Sequence, residues 1–318
     1  MRLVNNCPIC DSEKLKRLKQ HIFRNQNIIN YLSMLQSMSN ESLMSKNEFK
    51  FYINHCQKCG FIFLNPRFSE EDYKIIFKTE VINKNIDVER YFIRAIRGYK
   101  LISKYFKHKL PYKPKILDYG GVSGYLLNPF LKNYDCYLMD YKKYALPKGI
   151  RYLGRNTDDL NGKIKFNIIF SIRVLEHVND PKKVIKDLIL NLNQNGIIYV
   201  QVPLGCLNEW KSIATPFRHI NFFSEESIYN LFKVSDLKII HLKTAFQLSK
   251  EAPGWKLDII GIKTLKNKEK KKIKYKSTNQ QRKRIFYYIP LIFRKKTLNP
   301  QNIKKKFKNI LKKLKILN

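Results

Sequence analysis

The stretch Lys115-Ile-Leu-Asp-Tyr-Gly-Gly-Val-Ser-Gly124 constrains this chain more than any other. Its apolar run has β character and delivers Asp118 near its end. Gly120, Gly121 and Gly124 allow positive φ and the close approach of a ligand. The helix expected beyond them offers unpaired N–H groups to an anion. Together these features predict the nucleotide-binding corner of a doubly wound α/β sheet. Val122 stands where a further glycine is expected. Valine is comfortable only at negative φ, so the loop is expected to leave its usual path there or the ligand to shift.

The chain from Lys115 to Lys263 has the alternation such a sheet needs. Strands are predicted at 115–119, 136–140, 150–154, 166–172, 196–202, 237–244 and 257–263. The run Phe166–Ile172 is almost wholly apolar, as expected of a central strand buried on both faces. Helices fit 124–132, 181–193 and 224–234. Pro181 suits a first helical turn, Gly196 a helix exit, and Ser224-Glu-Glu-Ser227 a capped start. The expected fold is α/β, with a doubly wound, mostly parallel, seven-stranded sheet. Around it we place a small module at 1–70, a helical linker at 71–114, the α/β domain at 115–264 and a basic tail at 265–318.

Cys7-Pro-Ile-Cys10 and Cys56-Gln-Lys-Cys59-Gly60 each turn two thiolates toward one point. Two such turns complete a tetrahedral zinc shell, closed to chemistry and therefore structural. The 45 residues between the pairs exceed the usual spacing. His55 is read as a packing or surface residue, Cys136 as core and Cys206 as an ordinary thiol.

Asp140 ends the second strand of the α/β domain, where a carboxylate can accept from both ribose hydroxyls of an adenosine ligand. Asp158 and Asp159 follow the third strand, and either can accept from an adenine amino group. Ile172-Arg-Val-Leu-Glu-His-Val-Asn-Asp-Pro181 follows the fourth strand, at the end of the sheet where ligands sit. Phe217-Arg-His-Ile-Asn-Phe-Phe-Ser224 leads into the next helix.

The chain resembles the class I S-adenosylmethionine-dependent methyltransferases. Within them it is most similar to a bacterial group carrying an N-terminal zinc module, common in surface-polysaccharide and deoxysugar pathways. The matching pieces are Cys56-x-x-Cys59-Gly-Phe-Ile-Phe-Leu-Asn-Pro66, Ile116-Leu-Asp-x-Gly-x-x-x-Gly124, Leu175-Glu-His-Val-x-Asp-Pro181, Gly196-Ile-Ile-Tyr-Val-Gln-Val-Pro203 and His219-Ile-Asn-Phe-Phe-Ser224. They occur in the group's order over residues 7–264. The resemblance implies a Rossmann-like fold, S-adenosylmethionine held by Asp118, Gly120, Gly124 and Asp140, with Gly121 of the same turn a further cofactor candidate, and structural zinc on Cys7, Cys10, Cys56 and Cys59. Val122 departs from its glycine pattern, and Asn167 stands where relatives carry Asp. Imidazoles titrate near neutrality, which suits removal of a proton from an acceptor. His219 is the preferred general base and His177 the second candidate, with Glu176 bracing the loop. Arg173 and Arg218 are placed to neutralise an anionic sugar substrate.

The net charge is +37, and it is unevenly spread. Residues 264–318 hold 20 of the 62 Lys and Arg but only one of the 25 acids, Glu269. Arg282-Lys-Arg and Arg294-Lys-Lys296 bracket nine apolar residues. Beyond them Ile303, Phe307, Ile310, Leu311, Leu314 and Leu317 recur at helical spacing among lysines. This is the pattern of a basic amphipathic helix on an anionic surface, so residues 282–318 are expected to contact an anionic membrane. No apolar run is long enough to span a bilayer and no signal core is visible, which places the chain in the cytoplasm, peripheral at the inner membrane face. Two other readings stand beside a sugar or glycan methyltransferase. One is an RNA methyltransferase, suggested by zinc with basicity. The other is a degenerate methyltransferase fold acting as a binding module, suggested by Val122 and Asn167.

Overall fold

The fold is drawn from a computed structural model, which describes residues 3–24, 44–45, 48–69, 98–103, 110–160, 162–205, 219–247, 254–264 and 275–278, with single positions at 96 and 105. Among the described residues the apolar runs form twelve strands. Four precede the glycine turn: β1 (Leu15–Phe23), β2 (Met44–Ser45), β3 (Glu48–Cys56) and β4 (Ile62–Asn65). Eight follow: β5 (Lys115–Tyr119), β6 (Asp135–Met139), β7 (Ile150–Gly154), β8 (Phe166–Ile172), β9 (Leu192–Pro203), β10 (Asn221–Phe222), β11 (Leu237–Gln247) and β12 (Gly254–Lys263).

Seven of these make one sheet in the order β11-β12-β9-β8-β5-β6-β7. Strands β5 to β9 are mutually parallel, and β12 and β11 close the sheet antiparallel. The chain runs outward from β5 through β6 to β7, then returns to β8 on the other side of β5. That reversal opens a crevice beyond the carboxyl ends of β5 and β8, where an open α/β sheet takes its ligand. As expected, β8 is central and apolar on both faces. Ile169 joins one core, while Ile168 and Phe170 join the other. Asn167 accepts a hydrogen bond from the Lys115 N–H at 2.9 Å and ties the start of β5 to β8, a bond that an aspartate would also make.

Helix α1 (Pro181–Leu190) begins at Asp180, whose carboxylate accepts from the Lys183 N–H, with Pro181 in the first turn. Helix α2 (Glu225–Lys233) begins at Ser224 with a reciprocal Ser224–Ser227 cap and two acids in its first turn. Two expectations change. The segment after Gly124 is a 3-10 helix, Tyr125–Phe130, with Pro129 inside it, because proline removes a donor that an α-helix would need. Gly196 does not end α1; it lies within β9, and Asn195 takes the left-handed conformation at φ 61°. Of the linker, residues 98–103 are helical, and the rest lies mostly outside the described residues.

The cysteine module is built into the molecule rather than appended to it. Strands β1, β3, β4 and β10 form a second sheet, with β2 on β3. Strand β10 comes from the α/β domain and pairs antiparallel with β4, Asn221 opposite Phe63. Phe51, Phe61 and Phe63 share one continuous core with Leu117, Ile169 and Val200 of the large sheet. At the other end of the chain Thr278 is 1% exposed. Its hydroxyl donates to the Gly60 carbonyl at 2.9 Å, and its N–H donates to Glu226. Gly60 needs to be glycine there: it sits at φ 71°, and a Cβ would lie 2.2 Å from the Thr278 hydroxyl. Among the described residues no helix is long and apolar enough to cross a membrane. The basic segment 282–318 lies outside them.

Candidate active site and cysteine cluster

The glycine turn begins with the Gly120 N–H donating back to Met139 of β6 at 2.8 Å. Gly120, at φ 76°, lies against Val174; a Cβ would come within 2.4 Å of its Cγ2. Gly121 covers the buried Asp118, whose Oδ2 would be 2.2 Å from a Cβ. Side chains are therefore excluded on both sides of the turn, and the backbone itself forms the crevice floor. Val122 does not leave the glycine path as expected. It takes φ 52°, and its N–H donates to Asp140 Oδ2 at 2.9 Å. For a β-branched residue this conformation costs about 1–2 kcal/mol. The bond to Asp140 holds it there.

Asp140 thus stands where β6 meets the glycine turn. Its other oxygen accepts from the Lys142 N–H at 3.1 Å. Burial raises its pKa, while the Lys142 and Val122 N–H groups pull against that rise. Two acceptor positions are in use, and a carboxylate offers about four, so ribose hydroxyls can be added without breaking either bond. Asp158 and Asp159 are engaged in the turn after β7. Asp159 accepts from the Arg155 and Asn156 N–H groups. Asp158 pairs with Lys183 at 2.7 Å, and Lys183 also holds Asp187.

Beyond β8 the chain turns sharply at Arg173, φ 64°, whose N–H donates to the Gln201 carbonyl of β9. Glu176 follows with no exposed surface. Its Oε1 lies 3.3 Å from Arg173 Nε and 3.9 Å from His177 Nε2. The rings of His177 and His219 meet edge to face with centroids 4.8 Å apart. One ligand atom from each of Glu176, His177 and His219 lies within 4.8 Å of the others. Two imidazoles separated by some 40 residues in sequence are thereby gathered on one buried carboxylate, beside the turn that holds Gly120. Such a group can accept a proton and disperse the resulting charge. Arg218 and Cys206 lie outside the described residues.

Two residues that the sequence reading passed over complete this region. The Asn221 side chain donates to the Leu175 and Val178 carbonyls at 2.8 and 2.7 Å. Arg67, 4% exposed, donates to Asn221 Oδ1 at 2.6 Å and to the Asn179 carbonyl. Asn221 lies within the His219–Ser224 segment and Arg67 directly after Pro66, and a polar residue inside an apolar run is the only signal either gives in the sequence.

At the module's end, the four cysteines converge. Cys7 and Cys59 sulfurs are 3.5 Å apart, and Cys10 and Cys56 sulfurs 3.6 Å. A tetrahedron of 2.3 Å Zn–S bonds has edges of about 3.8 Å, so the donor set and spacing fit zinc. The two knuckles are alike: the residue after each second cysteine, Asp11 or Gly60, is left-handed and returns its N–H to the first cysteine's carbonyl. The sulfurs compete for protons. S–H donation from Cys59 and Cys7 pulls Cys56 far down, while contact with Cys56 pushes Cys7 up to about 12. His55 is buried beside the cluster, with Nδ1 bonded to Gln57.

The strained valine yields a direct test. Val122→Gly keeps the N–H to Asp140 and removes the side-chain cost, partly offset by glycine's unfolded-state entropy. The expected gain is about 0.5–1 kcal/mol, read as a higher urea midpoint, with S-adenosylhomocysteine affinity unchanged in calorimetry.

Residues 88–242 match the family model described as a methyltransferase domain. A solved structure of Burkholderia thailandensis 1,6-didemethyltoxoflavin-N1-methyltransferase, with 1,6-didemethyltoxoflavin and S-adenosylhomocysteine bound, has 14% identity. The similarity covers 66% of this chain and 98% of that one, with a TM-score of 0.50. NodS, an N-methyltransferase of Bradyrhizobium japonicum in complex with S-adenosylhomocysteine, aligns at 12% identity over 57% of this chain and 89% of that one, TM-score 0.42. In sequence, 52 residues are 40% identical to a tRNA U34 carboxymethyltransferase of Campylobacter jejuni, spanning 16% of this chain and 18% of that protein. The chain therefore has the Rossmann-like methyltransferase fold, and its residues 88–242 are similar to a methyltransferase domain.

Proposed function

We propose that the protein transfers the methyl group of S-adenosylmethionine to a sugar, sugar nucleotide or glycan intermediate of surface-polysaccharide biosynthesis. The observation that carries this reading is the Glu176–His177–His219 cluster beside the glycine turn. A hydroxyl or an activated C–H must lose a proton when methylated, and an imidazole pair on a buried carboxylate is suited to take it. When bound, the cofactor supplies an electrophilic sulfonium methyl. The chain's own residues do the rest: Gly120 and Gly121 clear the floor, Asp140 takes the ribose, His219 accepts the acceptor's proton, and Glu176 orients the imidazoles. Arg173, half-buried at the rim, supplies positive charge for a phosphorylated acceptor. The polysaccharide context rests on the resemblance of the motif series.

A second reading, methylation of RNA, draws on the short segment shared with the Campylobacter protein and on the positive charge. Supplying methyl-labelled cofactor with sugar nucleotides or with bulk tRNA separates the two. We expect label in the sugar fraction; label in tRNA alone defeats the first reading. His219→Ala is expected to lower turnover about 10²–10⁴-fold while S-adenosylhomocysteine affinity stays the same.

We also propose that zinc occupies the four-cysteine cluster and that all four sulfurs bind as thiolates. Elemental analysis of the purified chain is expected to find one zinc per molecule. Cys56→Ser should lose the metal and lower the thermal midpoint; full stability without zinc would refute a structural metal.

For the tail, we propose contact with an anionic membrane surface. The intact chain is expected to sediment with phosphatidylglycerol vesicles at low salt and release as salt rises, and a chain ending at residue 281 should not sediment. Equal sedimentation of both chains would refute this role.

A further inference from the structure

Strand β4 ends at Asn65, and Arg67 follows two residues later with its side chain turned into the α/β domain. The guanidinium stands 5.3 Å over the Phe63 ring of β4, so the strand itself fixes where the side chain starts. One Nη donates to the Asn179 carbonyl, and the other donates to Asn221 Oδ1 at 2.6 Å. Asn221 passes the constraint on, since its amide nitrogen donates to Leu175 and Val178. The loop is thus gripped at 175, 178 and 179. Between those points lie Glu176 and His177. The Glu176 carbonyl in turn accepts the Ile220 and Asn221 N–H groups at 2.9 and 3.1 Å, and Ile220 adjoins His219.

We propose that Arg67 is a positioning residue of the methyl-transfer site: acting through Asn221, it sets the 175–179 loop against His219, so that the cysteine module is a working part of the active site. This rests on the functional reading above. An arginine is suited to the task because its fork reaches two separate acceptors from one anchored stem, whereas an ammonium is a single point. The Arg67–Asn221 link is buried, Arg67 being 4% and Asn221 2% exposed, while Asn179 at the other prong is half-buried. At the Arg67–Asn221 link water therefore cannot stand in for a missing partner without opening the interface between β4 and β10.

The test uses the full-length, metal-loaded chain carrying Arg67→Met, Arg67→Lys, Asn221→Ala or Arg67→Met with Asn221→Ala. Amide hydrogen exchange is followed at residues 175–179 and 220–222, with β5 and β6 as internal reference, and S-adenosylhomocysteine affinity is measured alongside. In Arg67→Met the Ile220 and Asn221 amides should exchange at least about tenfold faster, with the reference strands unchanged. Cofactor-product affinity should stay within about twofold, because Gly120 and Asp140 are not in the network. Arg67→Lys should fall between, keeping charge over Phe63 but losing one acceptor. Adding Asn221→Ala should accelerate exchange further, because it also removes the donors to the Leu175 and Val178 carbonyls, but by less than Asn221→Ala does alone, since the two residues share a bond. With the labelled acceptor, turnover should fall about 10–100-fold at unchanged KM for S-adenosylmethionine. Unchanged exchange in Arg67→Met, or faster exchange spread evenly over both sheets, overturns the proposal, as does full rescue by lysine. If the wild-type chain fails to bind S-adenosylhomocysteine, the functional reading falls instead, whatever the exchange pattern shows.

Discussion

The backbone of residues 220–222 is hydrogen-bonded on two sides at once. Toward the large sheet, Ile220 and Asn221 donate to the Glu176 carbonyl; toward the cysteine module, the Ile220 carbonyl accepts from Leu64 and β10 pairs with β4. Remove this strip, and β4 becomes an open edge, the loop after β8 loses its partner, and His219 has no fixed place. The continuous core beneath it explains why the strip can be so short. Phe61 and Phe223 pack ring against ring at 5.2 Å, which supplies the apolar contact that two residues of strand pairing cannot.

What could be read from the sequence is what short-range physics decides. The apolar run of β8, the glycines at 120 and 121, the Ser224 cap and Pro181 each act within a few residues, and the structure places them as expected. The paired cysteines also declare themselves, since each knuckle is a local turn. Where long-range contact decides, the sequence was a poor guide. Val122 is pulled into a glycine conformation by Asp140, which arrives from the next strand. The end of α1 is set at Leu190 because the chain must enter β9 two residues later, beside β8. The partnership of β10 with β4 could not be seen at all, because two polar-apolar residues carry no pattern. Arg67 belongs to the same class: its meaning lies in Asn179 and Asn221, more than a hundred residues away.

Two buried charge clusters meet different constraints. At the cysteines, four sulfurs crowd together and share protons among themselves, a competition that a bound cation would relieve. At Glu176, one carboxylate without exposed surface is met by Arg173 and by imidazole, so compensation comes from within the chain. The first arrangement is closed and the second reaches the crevice.

Thr278 gives the molecule a particular order of completion. The knuckle at Cys56–Gly60 is finished early in synthesis, yet the hydroxyl that seals the Gly60 carbonyl is 218 residues further on. The same residue caps the start of α2 through Ser224 and Glu226. During translation the β4 edge therefore waits for β10, and the Gly60 carbonyl and the start of α2 wait longer still, open to water until Thr278 has emerged. The basic tail is not simply what remains after the domain ends; its first stretch, residues 265–274, leaves the ribosome before the fold can close.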